Sequence, residues 1–352
     1  MTFTRLATAA VAAALWIAPG AALAQDKPLE KFLMGFAVDS MVQQIPFHVA
    51  KEFGYFEEEG LDVEFQYFDG SSAVVQQLVA GNVDAGSPAT GALFNALVQD
   101  HELKQIFSFQ FKSVFTLATP ADSGITTVAD LKGKKVGVSE LSGGEVPIVR
   151  AVLREAGLME GQDVEIVPVG AGSALTLNSL QTGQVQAYSS NMFDIAAIEA
   201  AGTDMTIIMP KSVENFPGNA IVVRAETLDE KREQLVGFVR ALAKGLLYVE
   251  ANRDLSFAIA ARLAPEEFED EALANASFDA ARLLKERPAD LADAPIGTHY
   301  RPGIEAYHTF MRQGKEEEGA LMQDIDLDMM LDSSLIEDAN KFDHDAAKAP
   351  RQ

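Results

Sequence analysis

The chain has 352 residues, 48% of them hydrophobic and 23% charged, with a formal net charge of −24 and no cysteine. That length and composition suit a globular protein with room for two ordinary domains, not a disordered chain. The acidic balance argues against a nucleic-acid partner, and the missing thiols exclude disulfides, thiolate catalysis and a Cys-ligated metal.

In chain order, Arg5 precedes an Ala-rich apolar run from Ala9 to Ile17, followed by Pro19, Gly20 and the small-x-small ending Ala22-Leu23-Ala24. Residues 1–24 read as a secretory signal peptide cut before Gln25, with an apolar core too short to span a bilayer. No Cys follows the cut, so a lipoprotein anchor is not expected. The mature protein is expected in the periplasm and soluble.

Phe32–Ala37 reads as a strand, Asp39–Gln44 as a polar loop, and Pro46–Phe53 as a helix with Pro at a tolerated first-turn place. Asp62–Tyr67 alternates as a strand does. Gly70-Ser71-Ser72 closes it, with Ser71 or Ser72 placed to cap a helix Ala73–Ala80. Gly81 stops that helix and Val83–Ala85 is a brief strand. Strand, helix and strand joined by short connections predict a parallel sheet.

The plan is then repeated. Asp130–Val138 is a basic turn feeding a strand, Ser139–Gly144 a Ser/Gly loop, and Val146–Ala156 a helix. Gly161-Gln162-Asp163-Val164-Glu165-Ile166 matches Gly60-Leu61-Asp62-Val63-Glu64-Phe65, and Gly172-Ser173-Ala174 matches Ser71-Ser72-Ala73. Leu180-x-x-Gly183-x-Val185-x-Ala187 matches Leu78-x-x-Gly81-x-Val83-x-Ala85. Phe107–Phe111 and Phe115–Ala118 read as a strand passing between lobes, and Gly218–Val223 as the return. The expected division is residues 25–118 plus 221–342 for lobe 1 and 119–220 for lobe 2. Glu230–Asn252 is a helix with a core face at Leu235, Phe238, Val239, Leu242, Leu246 and Val249, and residues 343–352 are a polar, frayed tail. Ligands bind beyond the carboxyl ends of parallel strands, so two facing lobes would share one cleft.

GYFEEEGLDVEF (Gly54–Phe65), LVAGNVDAG (Leu78–Gly86), DLKGKKVGV (Asp130–Val138) and DMMLDSSLIEDA (Asp328–Ala339) occur in an order that resembles one family. It is that of the periplasmic substrate-binding proteins of ABC importers for nitrate, sulfonates, taurine and thiamine pyrimidine precursors. The resemblance covers nearly the whole mature chain. It implies an α/β, two-lobe periplasmic binding protein fold of the second class, each lobe a mostly parallel sheet flanked by helices. It also implies a partner, an ABC permease in the inner membrane. The solute is left open.

The cleft is expected to draw on three loops that can present unpaired helix N-terminal amides: Gly70-Ser71-Ser72, Ser142-Gly143-Gly144 with its neighbours, and the stretch through Asn191. Plain helix capping serves these loops equally well. Asp39, Ser40 and Gln43, then Ser87, Pro88 and Thr90, are placed on opposing walls with Asp194, and Asn219 on the return strand. Without Lys or Arg in these loops, a ligand bearing N–H groups is favoured over a bare anion. Phe109, Phe111, Tyr188 and Phe193 offer faces for a flat ring, with core packing the competing role of the first two.

The expected ligand is a small nitrogen-containing organic compound such as a pyrimidine thiamine precursor, with an organosulfonate or taurine next. A receptor feeding a sensor protein is the alternative, and an enzyme on the same fold a more distant one. The five histidines are scattered, no GxSxG elbow is present, and Asp324-x-Asp326-x-Asp328 lacks the Gly and Glu of a calcium loop. No catalytic residue, metal or cofactor is therefore expected, and a monomer is the usual state of such receptors.

Overall fold

The computed structural model describes residues 28–141, 144–172, 174–313 and 323–351. The segment expected to be a signal peptide, residues 1–24, and the predicted site residues Ser142 and Gly143 lie outside the described residues. In chain order the elements are β1 (Glu30–Phe36), α1 (Met41–Glu52), α2 (Tyr55–Glu58), β2 (Leu61–Tyr67), α3 (Ser71–Val79), β3 (Ala85–Ser87), α4 (Thr90–Val98), β4 (Leu103–Ser108) and β5 (Phe115–Pro120). Next come β6 (Lys134–Val138), α5 (Glu145–Glu155), β7 (Val164–Pro168), α6 (Ala174–Gln181), β8 (Ala187–Asn191), α7 (Met192–Ala200), β9 (Met205–Ile207), α8 (Lys211–Glu214) and β10 (Ala220–Arg224). The chain ends in helices: α9 (Ala225–Glu230), α10 (Arg232–Ala251), α11 (Arg253–Leu263), α12 (Glu271–Leu283), α13 (Arg301–Gln313), α14 (Leu327–Met330), α15 (Ile336–Ala339) and α16 (His344–Lys348).

Two five-stranded sheets share one plan, β2-β1-β3-β10-β4 and β7-β6-β8-β5-β9. β1 runs parallel to β2 and β3, and β6 parallel to β7 and β8. In each sheet the fourth place is antiparallel to its neighbours and is taken by the strand made just after the chain crosses over, β10 in the first and β5 in the second.

The sequence repeat has a local cause. After α3 the N–H of Gly81 donates to Leu78 O at 3.0 Å, and after α6 that of Gly183 donates to Leu180 O at 3.1 Å. Both glycines sit in the left-handed region, with φ of 73° and 68°, where a side chain is strained and glycine is not. The leucines before these turns and the Val83/Val185 and Ala85/Ala187 pairs after them are all buried. Each turn thus delivers a short apolar strand into the middle of its sheet.

The first core stacks Phe238 of α10 on Phe32 at 4.6 Å and on Phe56 at 5.4 Å between ring centroids. α10 also crosses α1 closely: a Cβ on Gly245 would lie 2.1 Å from the carbonyl oxygen of Pro46. The second core packs Val149, Val152 and Leu153 of α5 with Val136 of β6 and Ala187 of β8.

Four local expectations are corrected. The sequence predicts a loop over Asp39–Gln44, but α1 starts at Met41 and Pro46 lies in its interior, because Ser40 caps the earlier start. Neither Ser71 nor Ser72 caps α3, whose N-cap is Gly70 with no side-chain bond. Phe107–Phe111 is not a crossing strand, since β4 ends at Ser108 and Phe115–Pro120 is a strand of the second sheet. The tail after Asp343 is not frayed. It forms α16, buries Ala347, and returns Arg351 to accept from the Tyr248 hydroxyl at 2.9 Å and to cover the Tyr55 ring.

Candidate functional site

The loops after β1, β2 and β3 gather at one end of the first sheet. Ser71 Oγ, on the first turn of α3, accepts from the Ala89 N–H at 3.0 Å, which ties the loop after β2 to that after β3. Thr90 Oγ1 donates to Gly218 O at 2.9 Å, and Asn219 Nδ2 donates to Ser87 O at 3.0 Å. The return crossing is further held by Gln110, whose Oε1 accepts from Asn219 N at 2.9 Å. Ser87, Pro88 and Thr90 are buried, while Gly70 and Ser72 are exposed. Ser87, Thr90 and Asn219 are therefore engaged in fixing the wall to the crossing strands.

The second sheet gathers its own loops. Asn191 caps α7 by accepting from Phe193 N and Asp194 N, each at 3.0 Å. Asp194 Oδ2 accepts from Ser190 Oγ and, at 3.0 Å, from Asn191 Nδ2. Its Oδ1 has no hydrogen-bond partner among the described residues and faces Gly172, where a Cβ would sit 3.1 Å from it. Burial pushes the Asp194 carboxyl above the ordinary carboxylate range. The hydrogen bond from Ser190 opposes that shift, and the nearby Glu145 charge adds to it. Glu145 itself is buried at the start of α5 and accepts from the backbone N–H of Ser139 at 2.9 Å and from its hydroxyl.

The two gatherings meet. Phe193, on the first turn of α7 in the second lobe, packs against a first-lobe cluster that includes Met41, Val42, Ile45 and Phe278. α7 lies along α12, which also contacts α1. Of the predicted residues, Ser40 and Gln43 stand at the start of α1, Phe193 and Asp194 at the start of α7, and Gly144, exposed, at the start of α5.

Others do not. Tyr188 is fully buried, and its hydroxyl donates to Gly170 O at 2.8 Å and accepts from Gly172 N at 3.2 Å, so its face is not free to stack on a ligand. Phe109 belongs to the first core, with its ring 5.6 Å from that of Phe47. Phe111 is buried on the same side of the crossing segment and lines a separate cavity. Asp39 is exposed and opens on a hollow of about 360 Å³ that it shares with Met41, Tyr67, Glu266 and Glu267, all of the first lobe.

Two site residues were not anticipated. Glu145 stands immediately after the Ser/Gly loop, where an acidic residue in a first helical turn is a legible signal. Glu267 caps α1 from more than two hundred residues away, and no sequence signal announces it. Among the described residues no group of three or more acidic or histidine side chains could hold a metal ion, and no helix is long and apolar enough to cross a membrane.

Comparison with known proteins adds to this geometry. The family described as NMT1/THI5 like matches residues 42–254. A Brucella abortus protein provisionally named a binding protein is 28% identical over 72% of this chain and 76% of its own. The riboflavin-binding protein RibY of Chloroflexus aurantiacus is 24% identical over 68% of each. Among solved structures, a periplasmic sulfonate-binding protein of Methylobacillus flagellatus superposes with a TM-score of 0.65 at 16% identity, over 89% of this chain and 94% of its own. The desulfurization enzyme DSZB shares the fold, with a TM-score of 0.58 at 16% identity over 88% and 98%. These likenesses show the periplasmic binding protein fold.

Proposed function

The chain belongs to the NMT1/THI5-like family, and from that premise we propose that it is a periplasmic solute receptor. It captures a small organic molecule between its lobes and hands it to an ABC import permease. The observation that supports the reading is the pair of sheets built to one plan, joined where Phe193 and α7 of the second lobe pack on α12 and its cluster in the first. Closure of such a gap around a guest changes the surface that a permease meets, and the guest shifts the balance only as far as it prefers the closed form.

The side chains at the gap favour a guest with N–H donors. Asp194 Oδ1 is available as an acceptor, Glu145 adds negative charge behind it, and Glu267 already occupies the amides at the start of α1. A nitrogen heterocycle, a pyrimidine first, satisfies these acceptors, and the riboflavin-binding relative is compatible with that class. An organosulfonate would have to rely on backbone amides alone.

An enzymatic reading finds little support in the histidines. His299 is buried with Nδ1 2.9 Å from Ser108 Oγ, but its Nε2 meets the backbone carbonyl of Asp332 and not a carboxylate. A melting screen of the purified mature chain with aminopyrimidines, riboflavin, taurine and alkanesulfonates tests the proposal, since a tight binder raises the transition by mass action. Stabilisation by an aminopyrimidine or flavin and not by sulfonates is the expected result. The reverse order would overturn the ligand class, and turnover of any of these compounds would overturn the receptor reading.

A further inference from the structure

Beside the crossing segment lies a cavity of about 420 Å³ whose lining comes wholly from β4, residues 109–111, α10, α12 and the chain that follows α12. No residue of the second lobe reaches it, so it is not the gap between the lobes. One wall is aromatic, from Phe109 and Phe111. The adjoining wall is cationic and poorly partnered. Among the described residues Lys285 Nζ donates only to Ala281 O, at 2.7 Å, in its own preceding turn. Arg287 reaches the carbonyls of Ala294 and Pro295, and its buried Nε has no partner among the described residues. Among the described residues no carboxylate forms an ion pair with either side chain; of the exposed Glu250 and Glu286 at the rim, Glu250 acts on Arg287 only through its charge.

A cation in such surroundings without a counter-charge is costly, and an anion entering the cavity would relieve that cost. The cavity is also held open by the fold. Phe111 N donates to Leu284 O at 2.8 Å, which fixes the cationic wall against the aromatic one. Its volume is within the range that takes a small organic molecule.

We propose that this cavity is a second binding site, for a small organic carboxylate with a flat apolar body. The carboxylate meets Lys285 and Arg287, and the body lies against Phe109 and Phe111. A planar carboxylate matches the fork of an arginine, and an aromatic body matches the phenylalanine faces. Burial pushes Lys285 down to about 7, so an arriving anion would also restore its proton.

Benzoate is the probe, with neutral benzamide as its control, titrated into the full mature chain by calorimetry. Saturable benzoate binding is expected, with benzamide at least about tenfold weaker. Lys285→Met should weaken benzoate by about tenfold or more, and Lys285→Arg should keep it within about threefold. Asp194→Ala, across the interlobe gap, should leave benzoate affinity unchanged. Removing an unpaired buried charge should not prevent folding, and the melting transition of Lys285→Met checks this. Equal binding by wild type and Lys285→Met, loss of benzoate in Asp194→Ala, or no saturation below about 10 mM would each overturn the second site. Loss in Asp194→Ala would place benzoate in the interlobe gap instead; the other results leave the ligand of that gap untouched.

Discussion

The carboxylate of Glu267 accepts from the backbone N–H of Met41 at 2.6 Å and of Val42 at 3.3 Å, and from the Ser40 hydroxyl at 3.2 Å. A side chain from the 3₁₀ turn Pro265–Phe268 thus closes the positive end of α1. An anionic guest arriving at the interlobe gap finds those amides taken. Glu267→Ala should lower stability by about 1–2 kcal/mol, the usual worth of a charged cap, with Glu267→Gln in between. Urea unfolding followed by circular dichroism checks this, and an unmoved midpoint would mean that water replaces the carboxylate at no cost.

Asp194 is the acceptor for which a guest N–H is expected. Its Oδ2 is held by Ser190 and Asn191, so the group is oriented before anything binds. Asp194→Ala should weaken an aminopyrimidine by more than about tenfold, roughly 1.4 kcal/mol. Burial raises the carboxyl's pKa. The ionised form that accepts hydrogen bonds is therefore lost at a higher pH than for an ordinary aspartate, and affinity should fall as pH drops through that raised value. Folding stability runs the other way. The folded state holds this proton more tightly than the unfolded chain, so Asp194 disfavours folding once pH exceeds its folded pKa. Calorimetry across the acidic range separates the two, and an affinity flat with pH would remove Asp194 from the contact.

Phe193 ties the lobes together through the cluster around Met41 and Phe278. It is half-buried, so truncation should cost about 1–2 kcal/mol, less than for a fully buried ring. The larger effect expected of Phe193→Ala is on shape. The Phe193 contact is expected to belong to the closed form, so its loss lowers the closed fraction and, with it, apparent ligand affinity. Solution scattering should give a larger radius of gyration for the variant without ligand. Identical scattering and unchanged affinity would make the α7–α12 contact incidental to closure.

What the sequence reveals depends on how local its causes are. The repeat Leu-x-x-Gly-x-Val-x-Ala was legible because one turn geometry, set by Gly81 and Gly183, fixes both copies. The N-terminal turn of α7 was legible for the same reason: Asn191 caps it from the adjacent position. The start of α1 was not, since half of its capping comes from Glu267, far along the chain. Tyr188 was misjudged because a strand residue in a two-sided sheet shows no sign of which face is covered. The cavity beside Phe111 was invisible, since Lys285 and Phe111 meet only through the path of α12.

Lys285 supplies a test of stability against pH that needs no ligand. The groups facing it are Arg282 on α12, Arg287 and Glu286 on the chain beyond, and Glu250 at the end of α10. Only the two rim glutamates carry negative charge, and both are exposed, so burial dominates and holds Lys285 near 7 against an unfolded value of 10.5. Between those values the unfolded chain binds more protons than the folded one, so stability rises with pH through that window. Below pH 7 the folded protein carries the full cost of the buried charge. Lys285→Met should therefore stabilise the protein by about 2 kcal/mol at pH 6, with the advantage shrinking as pH approaches 10. Paired melting curves of wild type and variant at the two extremes check it. A variant advantage that did not change with pH would locate the effect in packing, and a destabilised variant would mean that the bond from Lys285 to Ala281 O outweighs the burial of its charge.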